Sequence, residues 1–187
     1  ALLRATDTLQ AYQTLAANYR RSLALKVLAI TGSNGKTSTK DFAASVLARR
    51  FRVTKTEGNF NNHVGLPRTI LEATSDDEVA VWEIGMNHPG ETALLSAIAQ
   101  PTIGVINNAQ REHQEFMKSV ADVAAEHAAL ISALPERSVV VINADDDYAS
   151  FWQAVVVRRN AEGAALVLRD FGMRAAAVVT ARFRIET

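Results

Sequence analysis

Four short, unbroken apolar runs restrict the fold of this sequence more than anything else in it: Val27-Leu28-Ala29-Ile30, Val79-Ala80-Val81-Trp82, Ile103-Gly104-Val105-Ile106 and Val139-Val140-Val141-Ile142. A strand with one face in water alternates apolar and polar residues, whereas a strand with no polar position has to be covered on both faces. Segments of helical period separate the runs. Phe42, Ala43, Val46 and Leu47 share one face of a helix over about 36–50, and Ala93, Leu94, Ala97 and Ile98 do so over about 90–99. This alternation predicts an α/β three-layer domain built on a mainly parallel sheet with right-handed crossovers. Leu9, Tyr12, Ala16 and Tyr19 predict a lead-in helix over 8–20, so residues 1–24 read as helix and linker. After Asn143 the pattern loosens. A helix over about 146–158 is expected, followed by strands at Ala164–Leu168 and Ala177–Ile185 that would form a small appended β sheet at the C-terminal end.

The chain has 187 residues, enough to bury a core without metal or disulfide staples, and no internal repeat or Pro/Gly-rich linker divides it. One domain, and a monomer, is expected. Twenty basic and twenty acidic residues cancel, which gives no reason to expect nucleic acid or an anionic membrane as partner. Any anion site must therefore be local. The absence of cysteine excludes a disulfide framework, a Cys-ligated zinc and a thiol nucleophile, and fits a cytoplasmic protein. No apolar run is long enough to span a membrane, and the first residues lack the basic-then-apolar order of a signal peptide.

In parallel sheets, ligands bind beyond the carboxyl ends of the strands. Here all four runs end in polar residues: Thr31-Gly32-Ser33-Asn34-Gly35-Lys36-Thr37 after the first, Glu83 after the second, Asn107-Asn108 after the third and Asn143-Ala144-Asp145 after the fourth. The first is a phosphate loop, with glycines that turn backbone N–H groups inward, a helix N-terminus behind them, Lys36 for the β/γ-phosphates and Thr37 for the metal. It departs from the general pattern at one point, since Ile30 stands where the first glycine belongs and Gly32 takes over that role. Glu83 ends an apolar strand, where a carboxylate is costly without a cationic partner; ATP-bound magnesium is one partner, and solvent or Lys36 the alternative. The segment Lys55-Thr56-Glu57-Gly58-Asn59-Phe60-Asn61-Asn62-His63-Val64-Gly65-Leu66-Pro67 reads either as an amide-rich binding loop or as a loop of turn formers. His113 is within reach of the rim. Asp122 and Glu126, with His127 beside them, form a solvated patch or a second metal site.

Taken in order, the glycine loop at 31–37, the Gly58–Pro67 segment, Glu83-Ile84-Gly85-Met86 with Pro89-Gly90-Glu91, and Asn143-Ala144-Asp145-Asp146 resemble the Mur ligases. The Asn-Phe-Asn-Asn-His loop is most similar to the branch that adds D-alanyl-D-alanine to UDP-N-acetylmuramoyl-tripeptide. The resemblance implies a central ATP-binding domain and two cofactors, ATP and Mg2+. It also implies amide formation through an acyl phosphate, in the synthesis of peptidoglycan precursors. By the same resemblance Thr31, Gly32, Ser33, Asn34, Gly35, Lys36, Thr37 and Ser38 hold the nucleotide, together with Asn61 or Asn62 near the phosphates, Asn143 near the adenine, and Asn108 and Asp145. Lys36, Glu83 and His113 would be catalytic, with Thr37 and Glu83 at a first metal and His113 at a second. Many members carry a carbamylated lysine where this chain has His127 next to Glu126, so that one of these two binds the second metal or it is held less tightly. Family members also carry a UDP-sugar-binding domain and a C-terminal domain for which 187 residues leave no room, so one domain of a longer protein is expected. Two alternatives stay open, a folylpolyglutamate synthetase-like ligase and a nucleotide-binding module without chemistry.

Overall fold

A computed structural model describes residues 4–113, 115–174 and 176–181. Thirteen elements follow one another in those residues: α1 (Thr8–Ser22), β1 (Lys26–Thr31), α2 (Lys36–Leu47), β2 (Val53–Lys55), α3 (Gly65–Glu72), β3 (Val79–Glu83), α4 (Glu91–Ala99), β4 (Ile103–Ile106), α5 (Val120–Ala133), β5 (Val139–Asn143), α6 (Ala149–Ala161), β6 (Val167–Gly172) and β7 (Val179–Thr180). The strands form one parallel sheet in the order β2-β3-β1-β4-β5-β6-β7. Each of the four apolar runs is a strand within a residue of its predicted bounds.

Side chains of period two sort the core into layers. Val27 and Ala29 of β1, with Ala80 and Trp82 of β3, pack under α1, α3 and α4. Leu28, Ile30, Val79 and Val81 face the other way, onto Ala43, Ala44 and Leu47 of α2. On the side of α1 and α4 the core continues beneath α5 and α6 through Ile106, Val140, Ile142 and Trp152. Gly104 fits this packing because a Cβ there would lie 3.2 Å from the side chains of Leu130 and Leu134. Arg20 ties the lead-in helix to the domain. Its buried guanidinium donates to the carbonyls of Leu23, Leu25 and Ala99 at 3.0–3.1 Å, and burial pulls its pKa down.

Among the described residues no separate appended sheet forms. Val167–Phe171 pairs in parallel with Val139–Asn143, and Phe171-Gly172 with Val179-Thr180, so β6 and β7 extend the main sheet. Their exposed residues reflect a poorly covered outer end of that sheet, and they read in sequence like a separate element. Of the strand expected at Ala177–Ile185, residues 182–185 lie outside the described residues. The helix expected from about 146 begins at Ala149. Asn143 Oδ1 accepts from the Asp145 N–H and Asp146 Oδ1 from the Tyr148 N–H, holding 143–148 in turns first. No helix among the described residues is long and apolar enough to cross a membrane.

Candidate functional site

From β1 the chain moves towards β2 on one side, and from β4 towards β5 on the other, so the sheet order reverses between the adjacent strands β1 and β4. A crevice opens at such a point beyond the strand ends. The loops 31–37 and 107–113 meet there. Gly32 (φ 136°) packs so closely on the second loop that a Cβ would stand 2.9 Å from Asn107 Cβ, and Gly35 (φ 76°) turns the chain into α2. Asparagines lock the two loops together. The Ser33 and Asn34 N–H groups donate to Asn108 O and Oδ1 at 3.1 and 2.9 Å, and Asn107 Nδ2 donates to Asn34 O and Thr39 Oγ1 at 3.3 and 3.0 Å. Asn34 Nδ2 donates to Gln110 Oε1 at 2.7 Å.

The first turn of α2 has no side-chain cap, which leaves its N–H groups available to an anion. Lys36 Nζ folds back over the loop, donating to Gly32 O at 2.5 Å and Ser33 O at 3.4 Å. Thr37 and Ser38 are exposed on the same turn. Opposite Thr37 stands Glu83, only 3% exposed, with a carboxylate that accepts from Thr37 Oγ1 at 3.0 Å and Asn61 Nδ2 at 2.8 Å. Among the described residues it has no ion-pair partner, and Lys36 does not reach it. The Glu83 N–H donates to Thr56 Oγ1 at 2.9 Å, and Gly85 leaves the space that Asn61 fills, since a Cβ there would be 2.6 Å from Asn61 Oδ1.

Of the two asparagines, Asn61 faces this carboxylate while Asn62 turns away. Asn62 Oδ1 accepts from the N–H groups of Val64 and Gly65 at the start of α3. Asn143 Oδ1 is used in the turn after β5. Asp145 holds the loop after β6, accepting from the N–H groups of Met173 and Arg174 at 2.7 and 3.0 Å. His113 is exposed with a positive φ of 46°, and its Nε2 lies 3.9 Å from Glu112 Oε2.

Of Asp122, Glu126 and His127, Asp122 is exposed, Glu126 half-buried and His127 buried, and the three are not gathered as a set of ligands. Asp122 interacts with Ser119 at the start of α5. Glu126 accepts from the Gly90 and Thr92 N–H groups at 2.9 and 2.8 Å, which caps α4 from outside. His127, 1% exposed, lies between Thr31 Oγ1 (3.0 Å) and Glu112 Oε1 (3.1 Å). Among the described residues no three His, Asp or Glu side chains gather so as to hold a metal.

Nothing in the sequence assigns a role to Glu112 or Thr56, and Asn107 stands there only at the polar end of the third apolar run. Glu112 also accepts from Ser33 Oγ at 2.8 Å. Burial raises its pKa, but the hydrogen bonds from His127 and Ser33 and the charges of His127 and Lys36 together bring it below the ordinary value. A separate concavity of 590 Å³ lies between α2, β2 and α3, and Lys55 and Glu57, at the start of the expected binding loop, are part of its lining.

Residues 30–185 match the Mur ligase middle domain family. A curated relative, the UDP-N-acetylmuramoyl-tripeptide--D-alanyl-D-alanine ligase of Bacillus subtilis (strain 168), is 42% identical over 146 residues, 78% of this chain and 32% of that protein. The crystal structure of MurF from Acinetobacter baumannii superimposes with a TM-score of 0.85 at 30% identity, covering 91% of this chain and 36% of that one. The MurF ligase of Thermotoga maritima, solved in complex with ADP, gives 0.82 at 26% identity over 92% and 38%. The chain thus spans about a third of the length of the curated relatives it matches. With the family's middle domain matched over most of its length, this chain belongs to the Mur ligase family.

Proposed function

We propose that this chain is the ATP-binding part of a ligase that joins D-alanyl-D-alanine to UDP-N-acetylmuramoyl-tripeptide. The observation that carries the proposal is the convergence of Thr37 and Glu83 beside the glycine loop and Lys36. The name of the Bacillus subtilis relative supports the substrates, and the ADP bound to the Thermotoga maritima structure supports the nucleotide.

The donor set suits a magnesium–nucleotide complex. A buried carboxylate without a cationic partner among the described residues faces a hydroxyl, and Mg2+ is usually held by one or two such protein groups together with phosphate oxygens and waters. Thr37 and Glu83 would hold it, and when bound it would neutralise charge on the phosphate oxygens. Lys36 exchanges its carbonyl partners for β/γ-phosphate oxygens, and the uncapped turn of α2 directs N–H groups at the same anion. Asn61 keeps the Glu83 carboxylate oriented. His113 has an exposed imidazole at the rim that can reach a bound ligand or a second metal.

In the reaction a carboxylate oxygen of the tripeptide bonds to the γ-phosphorus as the bond to the bridging oxygen breaks, releasing ADP. The dipeptide amine then attacks the acyl carbon, phosphate departs with the C–O electron pair, and the amine sheds a proton. The protein's part is positioning and charge neutralisation, without a covalent nucleophile. Calorimetric titration of this chain with Mg-ATP is expected to show binding that Lys36→Ala abolishes. In a protein extended to the length of its relatives, Glu83→Gln is expected to remove ligation while circular dichroism stays native. Normal ligation by that variant would refute the assignment, and a failure of the unaltered extended protein to consume ATP with both substrates would favour binding without chemistry.

A further inference from the structure

A fully buried histidine with two polar partners is left over once the proposed chemistry has been assigned. His127 projects from α5 into the space behind the glycine loop. Its Nε2 lies 3.1 Å from Glu112 Oε1, and its Nδ1 lies 3.0 Å from Thr31 Oγ1. An ionised carboxylate only accepts, so Nε2–H donates to Glu112, while Nδ1 bonds the Thr31 hydroxyl, which can either donate or accept. The same Glu112 oxygen accepts from Ser33 Oγ at 2.8 Å, and Ser33 Oγ accepts from the Gln110 N–H at 2.8 Å. Both ends of the segment Thr31–Ser33 are therefore tied through one side chain to α5.

An ionised carboxylate this close to a phosphate loop repels an anionic ligand, so its presence there calls for a structural reason. The bonds from Ser33 and His127 supply one, because through them the carboxylate fixes the loop wall. We infer that His127 is a positioning residue of the phosphate loop, acting through Glu112 and Ser33 to hold the loop in its nucleotide-accepting shape. The inference rests on the nucleotide-binding reading above. It gives a role to a position that had otherwise suggested a metal ligand, and it requires no metal there.

Substitutions separate the two arms of the ring. Gln at 127 places an amide N–H where Nε2 stands and keeps the Glu112 arm, whereas Asn places its amide at the Nδ1 end and keeps only the Thr31 arm. Mg-ATP titration is expected to give wild-type affinity for His127→Gln. His127→Asn should bind about tenfold more weakly, the scale of one lost hydrogen bond to a charged group. Glu112→Ala, which removes the same link from a less buried position, is expected to match His127→Asn. Urea unfolding of each variant shows whether affinity follows the Glu112 bond or only stability. Equal losses in the Gln and Asn variants that track stability would overturn the inference by reducing His127 to packing. Unchanged affinity in Glu112→Ala would also overturn it, and so would a gain, which relief of charge repulsion alone would produce. If the buried variants do not fold, Glu112→Ala decides by itself. Lys36→Ala serves as control: binding that survives it refutes the nucleotide site, whereas binding lost there and kept in Glu112→Ala refutes only the role of His127.

Discussion

Removing the Glu126 carboxylate should uncap α4, and the cost can be worked from the groups it serves. Gly90, at the N-cap, has no side chain to offer, so the first turn of α4 depends on a carboxylate from another helix. The two N–H groups it covers are not equivalent. Gly90 is exposed, so its N–H is rewetted when the carboxylate goes, whereas Thr92 is 0% exposed and its N–H is left without a partner. An orphaned buried donor costs about 1–3 kcal/mol, and loss of a negative charge from a helix N-terminus adds about 0.3–1 kcal/mol. Glu126→Ala is therefore expected to lower unfolding free energy by about 2 kcal/mol, and Glu126→Gln, which keeps a neutral acceptor, by roughly half as much. Urea denaturation followed by circular dichroism measures this as a lower midpoint at unchanged m-value. Because both Glu126 oxygens are held by backbone, Mg-ATP affinity should stay within about twofold of wild type. An unchanged midpoint would refute the capping account. Lost nucleotide binding at full stability would instead place Glu126 in the ligand site.

Gly32→Ala is expected to weaken Mg-ATP binding by more than about tenfold, because the φ of 136° and the approach of Asn107 leave no room for a Cβ and a strained backbone there costs about 1–3 kcal/mol; native-like affinity in calorimetry would contradict the loop packing. The Glu112 carboxyl has a pKa held below the ordinary value in the fold, so it contributes stability that is present above its unfolded value and lost as pH falls through the folded one. The stability of wild type relative to Glu112→Gln, measured by urea unfolding, should accordingly shrink as pH falls from about 6 through the ordinary carboxylate range. A difference that does not change with pH would show that Glu112 carries no engaged charge.

What could be read from the sequence follows from how local each signal is. β1, β3, β4 and β5 were legible because burial on both faces leaves unbroken apolar runs. β2 was not, because Val53-Thr54-Lys55 is a half-buried edge strand of three residues. Strands were expected near β6 and β7, but β6 runs over Val167–Gly172 and shares only Val167 and Leu168 with the expected Ala164–Leu168. Both join the main sheet because β6 pairs with β5 and β7 with β6, which their own composition does not show. Lys36, Thr37 and Glu83 announce themselves by a spacing and by a charge that ends an apolar strand. The different fates of Asn61 and Asn62 do not, because the start of α3 claims one and Glu83 the other. The link from Thr31 and Ser33 through Glu112 to His127 joins residues up to 96 positions apart, which no local pattern records.

The most direct test is a crystal of this chain with Mn2+ and a nonhydrolysable ATP analogue, using the manganese anomalous signal to locate the metal. The account predicts an anomalous peak about 2 Å from Thr37 Oγ1, with the Glu83 carboxylate bound to the metal directly or through one water and Lys36 moved from Gly32 onto the phosphates. A triphosphate lying away from residues 32–37, or a metal peak remote from Glu83 while its bonds to Thr37 and Asn61 persist, would contradict it.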